Sequence, residues 1–203
     1  MAKAKSSPGE IRVSERVYQF KITLRGIKPP IWRRIQVREC ALDELHGHIQ
    51  TAMGWTNSHL HQFTIDGESY GVPALMEEDF EAMEDSTATN LSDIVPGDGK
   101  RFRFKYEYDF GDGWEHEILF EGCLPAEKGV RYPLCVEGGR ACPPEDVGGT
   151  HGYQEYLEAM ANPEHKRHKE FREWSGPFNP ETFDAQAATT QMQEGLPDWR
   201  DEE

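Results

Sequence analysis

The chain has 203 residues, 36% hydrophobic and 29% charged, with five Trp, seven Tyr and ten Phe, a composition that can bury a core without crosslinks and excludes a disordered polyelectrolyte. Its net charge of -15 is lopsided, because residues 1–40 hold ten Lys or Arg against three acids, so nucleic acid is disfavoured as a partner except through the basic N-terminal part. No apolar run reaches the length of a membrane span, and the four Cys at 40, 123, 135 and 142 contain no CxxC pair, so the expectation is a cytoplasmic protein with reduced thiols and no membrane contact.

Residues 1–15 and 185–203 are polar and lack periodicity, which reads as a flexible N-terminal segment and a flexible acidic tail flanking one domain over 16–184. Within it, Tyr18, Phe20, Ile22 and Leu24 alternate with Gln19, Lys21, Thr23 and Arg25, the period-two pattern of a half-buried strand. Gly26 to Pro30 turns the chain into a second strand, Ile31 to Arg38, with Ile31, Ile35 and Val37 on one face. A helical stripe follows at Leu42, Leu45, Ile49, Ala52 and Met53, opened by Asp43 and Glu44 and closed by Gly54. Alternation resumes from His59 to Ile65, and Asp66-Gly67 supplies a tight turn to a strand over Glu68 to Val72. Residues 77–100, acidic and then rich in turn formers, read as a surface excursion or an insertion.

Phe102, Phe104, Tyr106, Tyr108 and Phe110 alternate with charged residues, and beyond Gly111-Asp112-Gly113 the chain returns from Trp114 to Glu121. A three-residue loop there sets Phe110 opposite Trp114 and Tyr108 opposite His116, giving a hairpin with one aromatic face. Residues 122–149 read as a Gly/Pro/Cys-rich connection. Tyr153, Tyr156, Leu157 and Met160 then mark a helix with Thr150 as its available cap, and Pro163 suits the first turn of a short helix bearing Phe171 and Trp174. The order is α+β: a ββαββ N-terminal unit, an aromatic hairpin and C-terminal helices packed on it.

Three stretches carry a likeness that periodicity does not. PPIWRRIQV with LDELHGHIQTAMGW and HLHQF, then YDFGDGWEHEI, then ACPPEDVGG followed by GY resemble, in order, the plasmid pRiA4b ORF-3-like family. The resemblance implies a roll-like mixed β-sheet and occurrence on plasmids and beside transposable elements. Some relatives are labelled resolvases or passenger proteins of insertion elements, and some are joined to DNA-binding domains. It brings no established activity and no catalytic residues. Cys40-Ala41 departs from good helix-capping chemistry at the start of the first helix.

The chemistry-bearing residues fall in three places. Asp109, Asp112 and Glu115 surround the hairpin tip and could hold a hard cation, the bland alternative being that they serve the turn itself. His116 is the general-base candidate on an apolar face, against a buried histidine bonded to Tyr108 or a backbone carbonyl. His59 and His61, two apart on a strand, have the spacing of a metal pair, with His116, Cys135, Cys142 or His151 as a third ligand, against purely structural roles. His46 and His48 read as helix-surface residues. Glu145 and Asp146, presented by a loop stiffened by Pro143 and Pro144 and loosened by Gly148 and Gly149, could wall a cleft. The candidate binding cleft is therefore Tyr108, Asp109, Asp112, Trp114, His116, Glu145 and Asp146. Arg33, Arg34, Arg38 and Lys28 with Trp32 form a basic strand edge for an acidic partner or single-stranded nucleic acid, or else pair with the chain's own acids.

No phosphate loop, dinucleotide fingerprint, nucleophile elbow or HExxH occurs, and catalytic residues are not assignable. The leading expectation is a non-catalytic binding or accessory module for a protein or small-molecule ligand, associated with mobile genetic elements. The alternative is a metal-assisted hydrolase or phosphoryl-transfer enzyme, and the weaker alternative a DNA-associated recombination accessory protein. No cofactor is expected, with a divalent metal left open.

Overall fold

The computed structural model describes residues 16–72 and 83–196. The expected flexible segment 1–15, the tail beyond 196 and the start of the 77–100 excursion, 77–82, lie outside them. The strands are β1 (Arg16–Leu24), β2 (Trp32–Val37), β3 (His61–Ile65), β4 (Glu68–Gly71), β5 (Glu84–Asp85), β6 (Phe102–Tyr108), β7 (Trp114–Pro125) and β8 (Leu134–Gly139). The helices are α1 (Leu42–Met53), α2 (Leu91–Ile94), α3 (Gly149–Ala161), α4 (His168–Ser175) and α5 (Ala185–Glu194). All eight strands join one sheet in the order β5-β4-β3-β6-β7-β1-β2-β8, antiparallel except for β4 with β5, so the fold is a mixed-sheet α+β domain.

The alternation read from sequence sorts the sheet's two faces. Tyr18, Phe20, Ile22, Phe63, Tyr106, Ile118 and Phe120 are wholly buried on one side, each contributing about 1.5–3 kcal/mol of burial. On the other side the strands present Gln19, Lys21, Arg34, Lys105, Glu115 and Glu117, half-buried or exposed. A polar ladder crosses that face: Gln36 donates to Gln19 at 2.8 Å, Gln19 donates to Glu121 at 2.8 Å, and Arg34 bridges Glu121 and Glu137 at 2.8 and 2.6 Å. Arg34 thus pairs internally, and the proposed basic strand edge does not exist, because β8 covers β2. Arg33 has the same parity as Ile31, Ile35 and Val37 and is buried with them.

Several expectations are corrected by local chemistry. The hairpin loop is five residues, Asp109 to Gly113, so Tyr108 faces Trp114 and Tyr106 faces His116. Asp109 stops the strand early: its φ is 55° and its Oδ1 accepts from the N–H groups of Gly111 and Asp112 at 2.9 and 3.2 Å. The slip is two residues, one full side-chain period, so the same parity faces the core although Phe110 falls in the loop. The Gly-rich connection contains β8, whose Gly138 and Gly139 lie under the rings of Phe183 and Trp32, where an added Cβ would come within 2.4 and 2.9 Å. Close ring packing, not β-propensity, places that strand.

The expected tail from residue 185 begins as α5, capped by Asp184, which accepts from Gln186 and Ala187 N–H, and burying Ala188, Thr189 and Met192. Thr189 hydroxyl binds the backbone of Cys135 in β8, which fixes the helix to the sheet edge. Helix α3 is entered through Gly148 rather than capped by Thr150, and α4 begins at His168, five residues after Pro163. The poor cap at Ala41 is compensated from the other side, since Glu44 accepts from Ala41 N–H at 3.0 Å. In the described part of the 77–100 stretch, Leu91 and Ser86 are buried, so from residue 83 the chain is more than a surface excursion.

Candidate functional site

Three loops meet at one end of the sheet. The first leaves α1 through Gly54, whose φ of 102° is open to glycine at little cost, and runs to β3. The second is the Asp109 to Gly113 hairpin tip. The third, residues 140–148, joins β8 to α3. Register sets the first against the second, because β3 pairs with β6 and Asp109 N–H donates to Leu60 carbonyl at 2.9 Å. The third is stapled to the hairpin: Gly148 N–H donates to Asp112 Oδ2 at 3.0 Å, and a Cβ on Gly149 would lie 2.4 Å from Asp112 carbonyl oxygen. Trp55 Nε1 ties it to the first loop by donating to Pro143 carbonyl at 3.0 Å.

Two polar clusters result. In one, Tyr108 hydroxyl donates to Glu145 at 3.0 Å and accepts from Ser58 N–H at 3.0 Å, while Glu145 accepts from Thr56 N–H at 2.9 Å. Burial, reinforced by the Glu145 carboxylate, pushes the Tyr108 phenol well above its ordinary pKa, so it acts as a donor and not as a base. In the other, His59 Nε2 lies 2.9 Å from Asp146 Oδ1 and 3.6 Å from Asp109 Oδ2. His59, Asp109 and Asp146 each present a ligand atom within 4.8 Å of the others, a donor set suited to a divalent cation. The Asp146 contact lacks hydrogen-bond alignment at the imidazole, so it is a close approach and not a hydrogen bond.

The expected cleft is thus divided. Tyr108, Asp109, Glu145 and Asp146 converge, and Asp112 is the staple. Trp114 and His116 do not join them: both are fully buried beneath the loops, His116 against Trp55 and Tyr106 at 5.5 and 5.3 Å between ring centres. Burial lowers the His116 pKa to about 4, and among the described residues neither ring nitrogen has a well-formed hydrogen bond, so it is a neutral core residue. The His59/His61 pair also separates. His59 precedes β3, whereas His61 stacks on His46 at 3.5 Å. His46, expected on a helix surface, is buried between Tyr106 hydroxyl and Asn57 Oδ1, each at 2.7 Å. Burial lowers the pKa of His46 to about 4 and, with His46 as neighbour, that of His61 to about 2.

Beside the clusters opens a cleft of about 550 Å³ between the 141–146 segment, the end of α1, α4 and α5. Glu145 and Asp146 form one wall, Trp174 and Phe178 another, and Arg33 reaches it from β2. No local sequence pattern marks this cleft, because its walls are distant in the chain. The signal that could have revealed Arg33 is its parity, since it sits on the apolar side of its own strand.

The geometry defines a class first: a one-sheet α+β protein whose strand ends carry a loop-built cleft rimmed by carboxylates. The chain belongs to the plasmid pRiA4b ORF-3-like family, whose match spans residues 16–187. It is 45% identical over 161 residues to the uncharacterized protein y4hQ of Sinorhizobium fredii, covering 79% of this chain and 81% of that one. It also resembles the crystal structure of MM3350, a protein of unknown function from Methanosarcina mazei Go1. There the TM-score is 0.74 at 37% identity, over 85% of this chain and 97% of the other.

Proposed function

We propose that the protein is a non-catalytic binding or accessory module that holds a small molecule or a protein segment in the cleft beside residues 141–146. The observation that carries this reading is the cleft itself, of a volume ordinary for small ligands and walled by loops already locked to one another. Two of its three acids are engaged in positioning, Glu145 with Tyr108 and Thr56, Asp184 with the start of α5. His116, the general-base candidate, and His61, one of the candidate metal pair, are buried in the core. Four unpaired thiols support a cytoplasmic setting, and the plasmid in the family's name supports a role beside mobile elements. A fragment screen followed by amide NMR tests the reading. Binders are expected to shift residues 141–146 and Trp174 and to lose affinity in Trp174→Ala; shifts confined to other surfaces refute it.

A second reading, metal-assisted hydrolysis or phosphoryl transfer, is favoured by the His59, Asp109 and Asp146 donor set. Titration with Mn²⁺ followed by electron paramagnetic resonance tests it. Saturable one-to-one binding lost in Asp146→Asn supports a metal centre, and the absence of saturable binding disposes of it.

A further inference from the structure

We propose that the cleft recognises its ligand through a carboxylate seated end-on against Arg33. This rests on the reading of the cleft as a ligand site and adds the chemistry of what fills it.

Arg33 is 1% exposed, yet no carboxylate among the described residues forms an ion pair with it, in a chain with 37 acids and 22 bases. Its partners are neutral. Nε donates to Ala52 carbonyl at 2.8 Å, Nη1 donates to the carbonyls of Trp32 and Gly139 at 2.8 and 3.1 Å, and the guanidinium lies 3.9 Å from the centre of the Phe183 ring. Ala52 is in the last turn of α1, which has no basic residue of its own, so Arg33 meets the negative end of that helix. These contacts hold the side chain rigidly and supply partial negative charge, but they do not neutralise it. Nη2 makes no hydrogen bond among the described residues, and Arg33 lines the cleft.

A buried cation without a counter-ion is costly, and the cost is recovered when an anion arrives. Burial accordingly depresses the pKa of the guanidinium, although arginine stays charged at any physiological pH. With Nε and Nη1 occupied, the fork geometry of a bidentate pair is closed, and one nitrogen remains to donate to one end of an oxyanion. The remaining surroundings choose among oxyanions. Glu145, Asp146 and Asp184 line the same cleft and repel a multiply charged group such as phosphate. Trp174, 49% exposed, and Phe178 offer an apolar wall to the rest of the molecule. A singly charged carboxylate on an aromatic or aliphatic body satisfies all three conditions.

The test compares phenylacetate, its neutral isostere phenylacetamide and inorganic phosphate on the full chain, read by NMR of the Arg33 Nε–Hε signal and by Trp fluorescence. Phenylacetate is expected to bind roughly ten- to hundredfold more tightly than the amide, as befits one charged hydrogen bond, and to move the Arg33 signal. Arg33→Lys should narrow that ratio, and the wild-type comparison stands by itself if this variant fails to fold. Equal affinities, or phenylacetate binding with the Arg33 signal unmoved, overturn the carboxylate assignment and leave the cleft reading intact. Preference for phosphate overturns it in favour of a dianion. If no probe perturbs any cleft residue, both the assignment and the cleft reading fall.

Discussion

Replacing Gly149 by alanine tests the seam between the hairpin tip and the 140–148 loop, on which both polar clusters depend. Gly149 has a φ of 66°, where a side chain costs about 1–2 kcal/mol. Its Cβ would also fall 2.4 Å from Asp112 carbonyl oxygen, and a backbone atom cannot rotate away. Overpacking of this kind adds about 1–3 kcal/mol. Gly54→Ala is the matched control, because Gly54 also has positive φ, 102°, but an added Cβ there meets none of the described residues within 4 Å. The benefit from restricting the unfolded chain is common to both substitutions and cancels. Gly149→Ala should therefore be less stable than Gly54→Ala by about 1–3 kcal/mol in urea unfolding, with amide shifts spreading to Asp109, Asp112 and Asp146. Equal losses would show that the two loops are not in close backbone contact and would undo the derivation of the site.

Tyr108→Phe removes the donor to Glu145 and the acceptor for Ser58 N–H together; a loss of about 2–3 kcal/mol is expected by denaturation, and a change below measurement would place Glu145 elsewhere in solution. Acid should destabilise the fold through its buried histidines. His46, His116 and His61 have folded pKa values of about 4, 4 and 2, below the unfolded value of about 6.5. Below pH ~6.5 the unfolded chain therefore binds protons that the folded one refuses, and stability falls as pH drops through that window toward the folded values. Urea midpoints should be steady above neutrality and decline below it, more gently in His46→Gln; a flat profile down to pH ~5 would mean that these rings are accessible to protons. Gly138→Ala should loosen β8, since its Cβ would meet Phe183 within 2.4 Å, and should expose the α5 amides to faster hydrogen exchange.

Local patterns carried much of the architecture. The alternation in residues 17–25 and 102–121 and the stripe from Leu42 to Met53 name elements and faces, because burial of one face imposes a period that survives a register error of one full period. The hairpin shows this: its register differs by two residues from the expected one, and Phe104, Tyr106, Tyr108 and Trp114 are still buried. The resemblance carried by YDFGDGWEHEI and ACPPEDVGG was sufficient for the family. At the site, the loop acids Asp109, Glu145 and Asp146 were legible as residues, since Gly and Pro around them mark places where backbone geometry is specified.

What those residues touch was decided only by folding. Histidines 59 and 61 are two apart in sequence, yet one meets Asp109 and Asp146 while the other stacks on His46, because the strand begins between them. Arg33 looked like a basic surface residue among others until β8, α1 and Phe183 closed over it. Strand β8 and helix α5 lacked a periodic signal, since glycines under aromatic rings and a threonine bonded to a distant backbone are stable only when both partners are present. A chain specifies such contacts in its sequence, but their energy exists only between segments far apart in it, so periodicity reads the faces and tertiary structure decides the partners.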